Sequence, residues 1–396
     1  MSTFIHSLSI IVNQFYIILR LRFFTRLSNK DFMYKNKTVA VVVPAYNEEQ
    51  QISMVVESMP DFVDRIIIVD DCSTDKTVEV VKYLIDKAGK RTMAERKNGI
   101  VANTYNRADI MIEELNREEI KFYPPSEIVN NDTDDRVVLI KNLTNTGVGG
   151  AIARGYKWCK DYDIDCTAVM AGDGQMDPYE LESLIKPIIE EGVDYTKGNR
   201  LIHKSAAAII PRTRFLGNSV LSILTKIASG YWHVSDTQCG YTAISKNALN
   251  SIQLHKIYKR YGMPNDLLVK LNISFCTIKE IPIKPVYNIG EKSKMKPLKV
   301  IHSISWLLLK SFFKRLWSKY LLRDFHPLFL LYNLSFLLFV AIIPFLIHIF
   351  PAIIIPGRTV SISVMFITLF LFISSFQSLL FAMWMDIQDN ERLYKI

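Results

Sequence analysis

The segment Ala171-Gly-Asp-Gly-Gln-Met-Asp-Pro178 directly follows the apolar run Thr167–Met170, which has the length and composition of a buried strand. Two earlier apolar runs, Thr38–Val43 and Arg65–Val69, also end in polar motifs, and helical patterns separate the runs. Strands that alternate with helices predict an α/β domain with a mostly parallel sheet. Ligands of such sheets bind at the carboxyl ends of the strands, where these motifs lie.

A fourth strand is predicted at Val137–Ile140, so that four strands are followed by polar motifs. In chain order the motifs are Pro44-Ala-Tyr-Asn-Glu-Glu49, Val69-Asp-Asp-Cys-Ser-Thr-Asp-Lys-Thr77, Asn145-Thr-Gly-Val-Gly-Gly150 and Gly172-Asp-Gly-Gln-Met-Asp-Pro178. In the last motif, Asp173 and Gln175 lie two residues apart on a predicted turn, where both can face one divalent cation. Such an ion neutralises the charge of a departing nucleotide diphosphate.

The other motifs carry groups that can hold a nucleotide. Tyr46 offers a ring for stacking and Glu48 a hydrogen-bond acceptor, while Asp71 can accept from a base N–H or from ribose hydroxyls. Ser73 or Asp75 can cap the next helix. The glycines around Gly147 let backbone approach a ligand closely, although this run lacks the lysine of a Walker motif.

Taken together, the motifs resemble family-2 glycosyltransferases of the GT-A fold. Within that family, they resemble the polyprenyl-phosphate glycosyltransferases, the group that includes dolichol-phosphate mannose synthase. The resemblance covers about Thr38–Lys294 and extends to two apolar segments at the end of the chain. It implies a Rossmann-like mixed sheet, a nucleotide-sugar donor, a polyprenyl-phosphate acceptor, bound Mg²⁺ or Mn²⁺, and inversion at the sugar carbon. No nucleic-acid partner is expected, and a homo-oligomer is left open.

The resemblance also assigns roles to particular residues. Those expected to line the donor pocket are Pro44, Tyr46, Glu48, Gly147 and Asp71, the last of which would read the base. Asp173 and Gln175 would hold the metal ion. Ala171 departs from the pattern, because mannose synthases often carry the first Asp of a DxD motif there, and one ligand of the simplest pattern is therefore missing.

Basic residues later in the chain are expected to bind phosphate, because guanidinium forks match phosphate oxygens. Arg200 lies in a Gly-Asn-Arg run that resembles the family's Gly-Ser-Arg, and Arg212 and Arg214 follow it. Lys294 resembles the lysine of a loop that covers the donor, although its spacing from the preceding glycine is one residue longer here.

The run Asp236-Thr-Gln-Cys-Gly-Tyr241 resembles the acceptor-side motif of the family. Asp236 is expected to position the acceptor or to shape the donor sugar site, with the capping of a helix or turn as the alternative. The candidates for a catalytic role are Asp173, Asp236 and Arg214.

The end of the chain is apolar. Leu328–Phe350 and Thr359–Met385 contain no Lys, Arg, Asp or Glu, and each is long enough to cross a bilayer, which predicts a transmembrane hairpin. Basic residues flank the pair at Lys310, Lys314, Arg315, Lys319, Arg323, Arg392 and Lys395, whereas the link between them holds only Arg358. This bias predicts a multi-pass membrane protein with its catalytic domain in the cytoplasm.

Four regions are predicted. They are an interfacial helix at 1–36, a catalytic domain at 37–297 with a surface insertion at 88–136, amphipathic juxtamembrane helices at 298–326 and the hairpin at 327–396. Whether the N-terminal helix spans the membrane or lies on it is left open. In the juxtamembrane region, helical spacing predicts one apolar face formed by Trp306, Leu309, Phe312, Phe313, Leu316, Trp317 and Tyr320.

Composition agrees with this organisation. The formal net charge is +9, from 48 Lys and Arg against 39 Asp and Glu, which suits phosphorylated substrates and anionic lipid. The five cysteines form no CxxC pair, so we expect reduced thiols and no zinc site.

Two other functions compete with transfer to a lipid phosphate. One is transfer to a glycan hydroxyl, for which Asp236 would be the base. The other is a catalytically silent membrane protein that binds a nucleotide-sugar, an idea that rests on Ala171. A processive polysaccharide synthase is disfavoured because no Gln-x-x-Arg-Trp motif is present.

Overall fold

The computed structural model describes residues 34–91, 103–130, 134–209, 212–286, 297–354 and 359–396. The backbone divides into two compact units. The first contains Met1–Ile210, Cys239–Met263 and Ile281–Ser293, and the second contains Pro211–Gln238, Pro264–Glu280 and Lys294–Ile396. The predicted interfacial helix at 1–36 lies almost wholly outside the described residues.

The first unit is built on an eight-stranded mixed sheet, whose last strand begins at Ile278, in residues that are assigned to the second unit. Its strands are β1 (Val39–Ala45), β2 (Arg65–Asp70), β3 (Ser126–Ile128), β4 (Val137–Asn142), β5 (Cys166–Val169), β6 (Tyr195–Asn199), β7 (Thr242–Ser245) and β8 (Ile278–Pro282). The spatial order is β3-β4-β2-β1-β5-β7-β6-β8. Neighbours among β4, β2, β1 and β5 pair in parallel, whereas β3, β7 and β6 each run antiparallel to a neighbour. The predicted α/β fold with a mixed sheet is confirmed.

The strands of the first unit are buried because helices cover the sheet. Its helices are α1 (Ile52–Glu57), α2 (Thr77–Ala88), α3 (Arg107–Glu118), α4 (Val148–Asp161), α5 (Leu181–Glu190), α6 (Ala206–Ile209) and α8 (Lys246–Ser251). The Val- and Ile-rich runs of β1 and β2 are almost entirely inaccessible, as expected of central parallel strands. Within 88–136, the region predicted to be only a surface insertion, the chain forms α3 and adds β3 to the sheet.

The second unit is helical in its described part. Its helices are α7 (Arg212–Ser229), α9 (Met263–Ile273), α10 (Pro297–Trp317), a π-helical turn (Ser318–Arg323), α11 (Pro327–Ile354) and α12 (Ile362–Glu391). The helices α11 and α12 pair as the predicted hairpin, and Ser335 and Ser375 donate hydroxyl hydrogen bonds to each other's backbone carbonyls at 3.0 and 3.1 Å. Only 17% and 6% of their most apolar windows are buried, which is unlike core helices of a soluble protein.

The juxtamembrane helix α10 differs from its prediction. The predicted single apolar face is divided: Phe312, Leu316 and Tyr320 are buried in a core with α7 and α11, whereas Trp306 and Trp317 are more than half exposed. Arg315 and Lys319, counted above among the flanking basic residues, are also buried. The prediction of one face was wrong because the apolar residues form two stripes along the helix. One stripe packs into the core of the second unit, and the other stays exposed.

Candidate active site

Hydrogen bonds join the loops that follow β1 and β2. The backbone N–H of Asn47 donates to Ser73 Oγ at 2.9 Å, and its side-chain oxygen accepts from Thr74 N at 2.8 Å. One residue further, Glu48 N donates to Thr77 Oγ1 at 2.9 Å. Asn47 adopts φ of 56°, a left-handed conformation that asparagine tolerates. The two motifs therefore form one rigid rim at the carboxyl ends of neighbouring strands.

This rim carries three of the predicted donor-binding residues. Pro44 and Glu48 are partly exposed, and Tyr46 is 37% exposed, so that all three can be reached by a ligand. Of the two predicted helix caps, Asp75 accepts from Thr77 N at 3.0 Å beside the start of α2 and from Glu49 N at 3.2 Å. Ser73 instead accepts from Asn47 N in the rim.

Asp71 is almost completely buried and holds the loop after β4. Its Oδ1 accepts from Asn142 Nδ2 at 2.9 Å, from Thr146 N at 2.8 Å and from Thr146 Oγ1 at 2.7 Å. Its Oδ2 accepts from Gly147 N at 2.7 Å. Four donors thus engage this carboxylate, which gives it a loop-shaping role beside the predicted reading of the base. Asn142 and Thr146 had not been singled out from the sequence.

The loop leaves no room for a side chain at Gly147. Its φ is +79°, and a Cβ atom there would lie 2.6 Å from the backbone oxygen of Lys259. The same backbone oxygen accepts from Gly149 N at 2.9 Å. Glycine is therefore required at Gly147 by both conformation and space.

The turn predicted to hold a metal ion lies against the end of β1. Gly172 N is 3.3 Å from the carbonyl oxygen of Pro44, and Gly174 has φ of +75°. Within the turn, Gln175 N donates to Asp173 Oδ1 at 3.1 Å, which orders the carboxylate. The structure thus brings the turn to the same edge of the sheet as the rim.

The residues of this turn fit a magnesium or manganese ion. Asp173 and Gln175 supply one carboxylate and one amide oxygen, and both side chains are partly exposed. Among the described residues, no group of three or more His, Cys, Asp or Glu side chains forms a complete protein cage. Mg²⁺ is usually held by one or two carboxylates together with substrate phosphates, so that this sparse set suits an ion shared with a diphosphate.

Arg200 directly follows β6. The preceding Asn199 is buried, and its side-chain oxygen accepts from Leu201 N at 2.9 Å and from Ile202 N at 3.3 Å, so that the chain turns sharply at this point. Arg200 is partly exposed. Lys294 and the side chains of Arg212 and Arg214 lie outside the described residues, although the backbone of both arginines forms the first turn of α7.

Asp236 belongs to the second unit, where it is fully buried. Its backbone N–H and that of Ser235 both donate to Glu280 Oε1, at 3.0 and 2.9 Å. Glu280 was not predicted, because nothing in its local sequence indicates a partner that is 44 residues away.

The chain is similar in sequence to known glycosyltransferases. The sequence model of Glycosyl transferase family 2 matches residues 40–108 and 124–253. A UDP-N-acetylglucosamine–dolichyl-phosphate N-acetylglucosaminyltransferase of Methanococcus voltae is 30% identical over 253 residues, which are 64% of this chain and 87% of the relative. A dolichyl-phosphate beta-glucosyltransferase of Trichomonas vaginalis is 24% identical over 291 residues, covering 70% of this chain and 74% of the relative.

Among solved structures, the chain is similar to a glucosyl-3-phosphoglycerate synthase of Mycobacterium tuberculosis. The TM-score is 0.44 and the identity 18%, over 71% of this chain and 80% of the other.

Proposed function

This chain belongs to glycosyl transferase family 2, and we propose that it moves a sugar from a nucleotide-sugar to a polyprenyl phosphate at a membrane surface. The observation that carries the proposal is the presence, in one chain, of the strand-end turn Asp173–Gln175 and of an apolar hairpin. The turn suits a diphosphate with its metal ion, and the hairpin suits a substrate that resides in a bilayer. The relatives named above, which act on dolichyl phosphate, support the same choice of acceptor.

In the proposed reaction, an oxygen of the acceptor phosphate bonds to the anomeric carbon of the sugar. The bond from that carbon to the diphosphate breaks, and the nucleoside diphosphate leaves with the electron pair, so that the configuration is inverted. A phosphate monoester is largely doubly ionised at neutral pH, because its second pKa is about 6. The acceptor therefore needs little help from a general base, and alignment carries much of the catalysis.

The residues of this chain would orient both substrates. Asp173 and Gln175 would hold Mg²⁺ or Mn²⁺, which when bound neutralises the diphosphate. Tyr46 and Glu48 would contact the nucleoside, with Asp71 reading the base while it holds the Gly147 loop. A further set would handle phosphate and acceptor, namely Arg200, Arg212, Arg214, Lys294 and Asp236.

The hairpin would place the enzyme in the membrane with both ends of the hairpin on the cytoplasmic side. Even without the buried Arg315 and Lys319, the basic residues Lys310, Lys314 and Arg323 precede α11, whereas Arg358 is the one basic residue of the link. The exposed aromatic rings of α10, with Lys310 over the ring of Trp306 at 5.1 Å, suit the headgroup layer.

A transfer assay tests this function. Membranes that contain the full chain are incubated with a short polyprenyl phosphate and radiolabelled nucleotide-sugars, including UDP-N-acetylglucosamine, UDP-glucose and GDP-mannose. We expect label to enter an organic-extractable lipid that mild acid hydrolyses. A chelator should stop the transfer, and added Mg²⁺ or Mn²⁺ should restore it.

The competing functions give other results. If label appears only in a water-soluble glycan, the acceptor is a hydroxyl group and not the lipid phosphate. Nucleotide-sugar binding without any transfer would indicate a silent binding protein. Full activity in metal-free enzyme would remove Asp173 and Gln175 from the proposed mechanism.

A further inference from the structure

A buried ion pair lies inside the second unit. The guanidinium of Arg315 on α10 and the carboxylate of Asp386 on α12 are both 0% exposed. Nη1 and Nη2 of the arginine each donate to one carboxylate oxygen, both at 2.7 Å. Tyr320 donates to the same carboxylate at 2.8 Å. The pair thus fixes the second apolar helix to the juxtamembrane helix through a bidentate contact, the most directional form of ion pair.

The remaining donors of Arg315 reach a third helix. Nε donates to the carbonyl oxygen of Ala228 and Nη2 to that of Ile227, both at 3.0 Å. These carbonyls lie in the last turn of α7, where helical backbone has no N–H partner for them. The next residue after the helix, Gly230, has φ of +78°, and a Cβ there would lie 2.5 Å from Nη1. Arg315 therefore caps the C-terminal end of α7.

The middle of α7 holds the segment that follows Asp236. Ser222 Oγ and Thr237 Oγ1 share a hydrogen bond of 3.1 Å, and both side chains are buried. Thr225 Oγ1 of α7 donates to Asn265 Oδ1 of α9 at 3.1 Å, and Gln238 Nε2 donates to the same oxygen at 2.9 Å. The first turn of α7 contains Arg212 and Arg214, for which a phosphate role is predicted. The helix α7 thus connects the Arg315–Asp386 ion pair with the predicted acceptor-side residues.

Stability alone does not account for the pair. Replacing a buried ion pair by well-packed apolar residues is often neutral or stabilising, because removing two charges from water offsets their attraction. Arg315 forms five described hydrogen bonds that only a fork-shaped donor can make together, two to Asp386, two to α7 and one to Tyr320. That geometry indicates a role in placing α7.

We propose that Arg315 and Asp386 are positioning residues, which hold α7 and with it the Asp236–Gln238 segment in the geometry that receives the acceptor. The proposal rests on the proposed function, because it takes Asp236 to be on the acceptor side. The hairpin is then part of the scaffold of the site as well as a membrane anchor.

A double substitution separates placement from stability. Arg315→Met with Asp386→Leu removes both charges and keeps apolar volume, so that no unpaired buried ion remains. We expect this variant to reach the membrane in normal amount and to retain the KM for the nucleotide-sugar. Its KM for polyprenyl phosphate should rise, or its kcat fall, by about 10- to 100-fold, because a displacement of about 1 Å causes losses of this size. Lys314→Met, an exposed neighbour of the pair, is the matched control and should behave as wild type.

Hydrogen exchange gives a readout that does not depend on activity. Asp386→Asn keeps the volume and weakens the pair, and we expect faster exchange of the backbone amides at the C-terminal end of α7, around Ile227 and Ala228. The outcome that overturns the proposal is wild-type acceptor kinetics in the double variant together with unchanged exchange in Asp386→Asn. If wild-type enzyme fails to use polyprenyl phosphate, the proposed function fails, while the exchange result still reports whether the pair orders α7.

Discussion

Two buried aspartates, Asp71 in the first unit and Asp386 in the second, are held by different kinds of partner. Asp71 accepts hydrogen bonds from neutral N–H and O–H groups of the loop after β4. Asp386 faces the guanidinium of Arg315. In both units these partners lie 71 or more residues away in sequence, but those of Asp71 are neutral groups that belong mainly to one loop, whereas Asp386 pairs with a charged side chain of another helix.

The difference indicates what each region is for. Neutral donors shape the loop around Asp71 without adding positive charge, which keeps this edge of the sheet suited to a cation. In the helical unit the guanidinium cancels the charge of Asp386, so that the pair fixes helices and offers nothing to a ligand. Changes at the Asp173 turn should therefore reduce turnover more than stability, whereas changes that leave one charge of the buried ion pair without its partner should reduce stability.

The largest expected effect is that of Asp173→Asn. Loss of the carboxylate removes the charged ligand from the predicted metal site, and turnover should fall by about 10³-fold, the upper range for removal of one group that stabilises developing charge. The thermal unfolding midpoint should change little, because asparagine keeps the volume of the side chain and its oxygen can still accept from Gln175 N. Transfer kinetics and thermal unfolding of the same preparation provide the check.

The control for this variant is Asp163→Asn, which makes the same chemical change at an aspartate whose side chain is 51% exposed. Normal turnover in well-folded Asp173→Asn would exclude this residue from the mechanism and would remove the contrast between the two regions.

A second test is aimed at the helical unit. Gly230→Ala places a Cβ 2.5 Å from Arg315 Nη1 at a residue with φ of +78°. We expect a loss of about 3 kcal/mol in the free energy of unfolding, because left-handed backbone strains alanine and the guanidinium is displaced from its buried carboxylate. Thermal or denaturant unfolding in detergent measures it.

Gly192→Ala is the matched comparison for this test. Gly192 has φ of +69°, and nothing lies within 4 Å of its added Cβ, so that this variant reports the backbone strain alone. Equal losses of unfolding free energy in the two variants would show that the guanidinium moves aside without cost. The ion pair would then contribute little to the stability of the helical unit.

The sequence predicted the first unit better than the second for a physical reason. Each strand-end motif is local, because its apolar run, its turn and its polar residue lie within a few positions of one another. Asp71 and Asp173 are the polar residues of two such motifs. The family, the mixed sheet and the apolar hairpin are all confirmed. The roles of the individual site residues stay predictions.

Long-range pairing could not be predicted in the same way. Arg315 and Lys319 were predicted only as basic residues that flank the hairpin, and Asp386, the partner of Arg315 on α12, directly follows an apolar run that was predicted to span the membrane. The strand β3 was missed because its three residues lie within a polar segment and are ordered by pairing with β4. Tertiary contacts determine both the burial of Arg315 and Lys319 and the formation of β3.

A smaller effect is expected from Asp71→Asn. The new side chain has one carboxamide oxygen, and its NH₂ group would face either Gly147 N or the donors of Asn142 and Thr146. Leaving one donor unsatisfied costs about 2 kcal/mol. The loop at Gly147 should also shift, and the KM for the nucleotide-sugar should rise by about tenfold. Unfolding and donor kinetics, with Asp163→Asn as the control, measure both; an unchanged donor KM would separate this loop from the donor site.

The smallest expected effect lies in the segment 109–123, which the family match omits. Glu119 is buried there and accepts from His255 N at 3.2 Å, while its Oε2 lies 3.4 Å from Lys160 Nζ. Burial raises the pKa of Glu119, but the hydrogen bonds from His255 and the charge of Lys160 lower it more, so that its pKa lies below the usual range. Glu119→Gln should lower the free energy of unfolding by about 1 kcal/mol at neutral pH without changing turnover.

The stability difference between wild type and Glu119→Gln should depend on pH in one direction. A depressed carboxyl pKa contributes stability above the unfolded value, which is about 4.3, and that contribution is lost as the pH falls through the folded value. The gap in unfolding midpoint between wild type and Glu119→Gln should therefore narrow as the pH falls below about 5. A gap that stays constant or widens below that pH would contradict the assignment. A change in turnover would show that the segment 109–123 affects the site at the sheet edge. The comparison of the sheet edge with the ion pair would then have to include this segment.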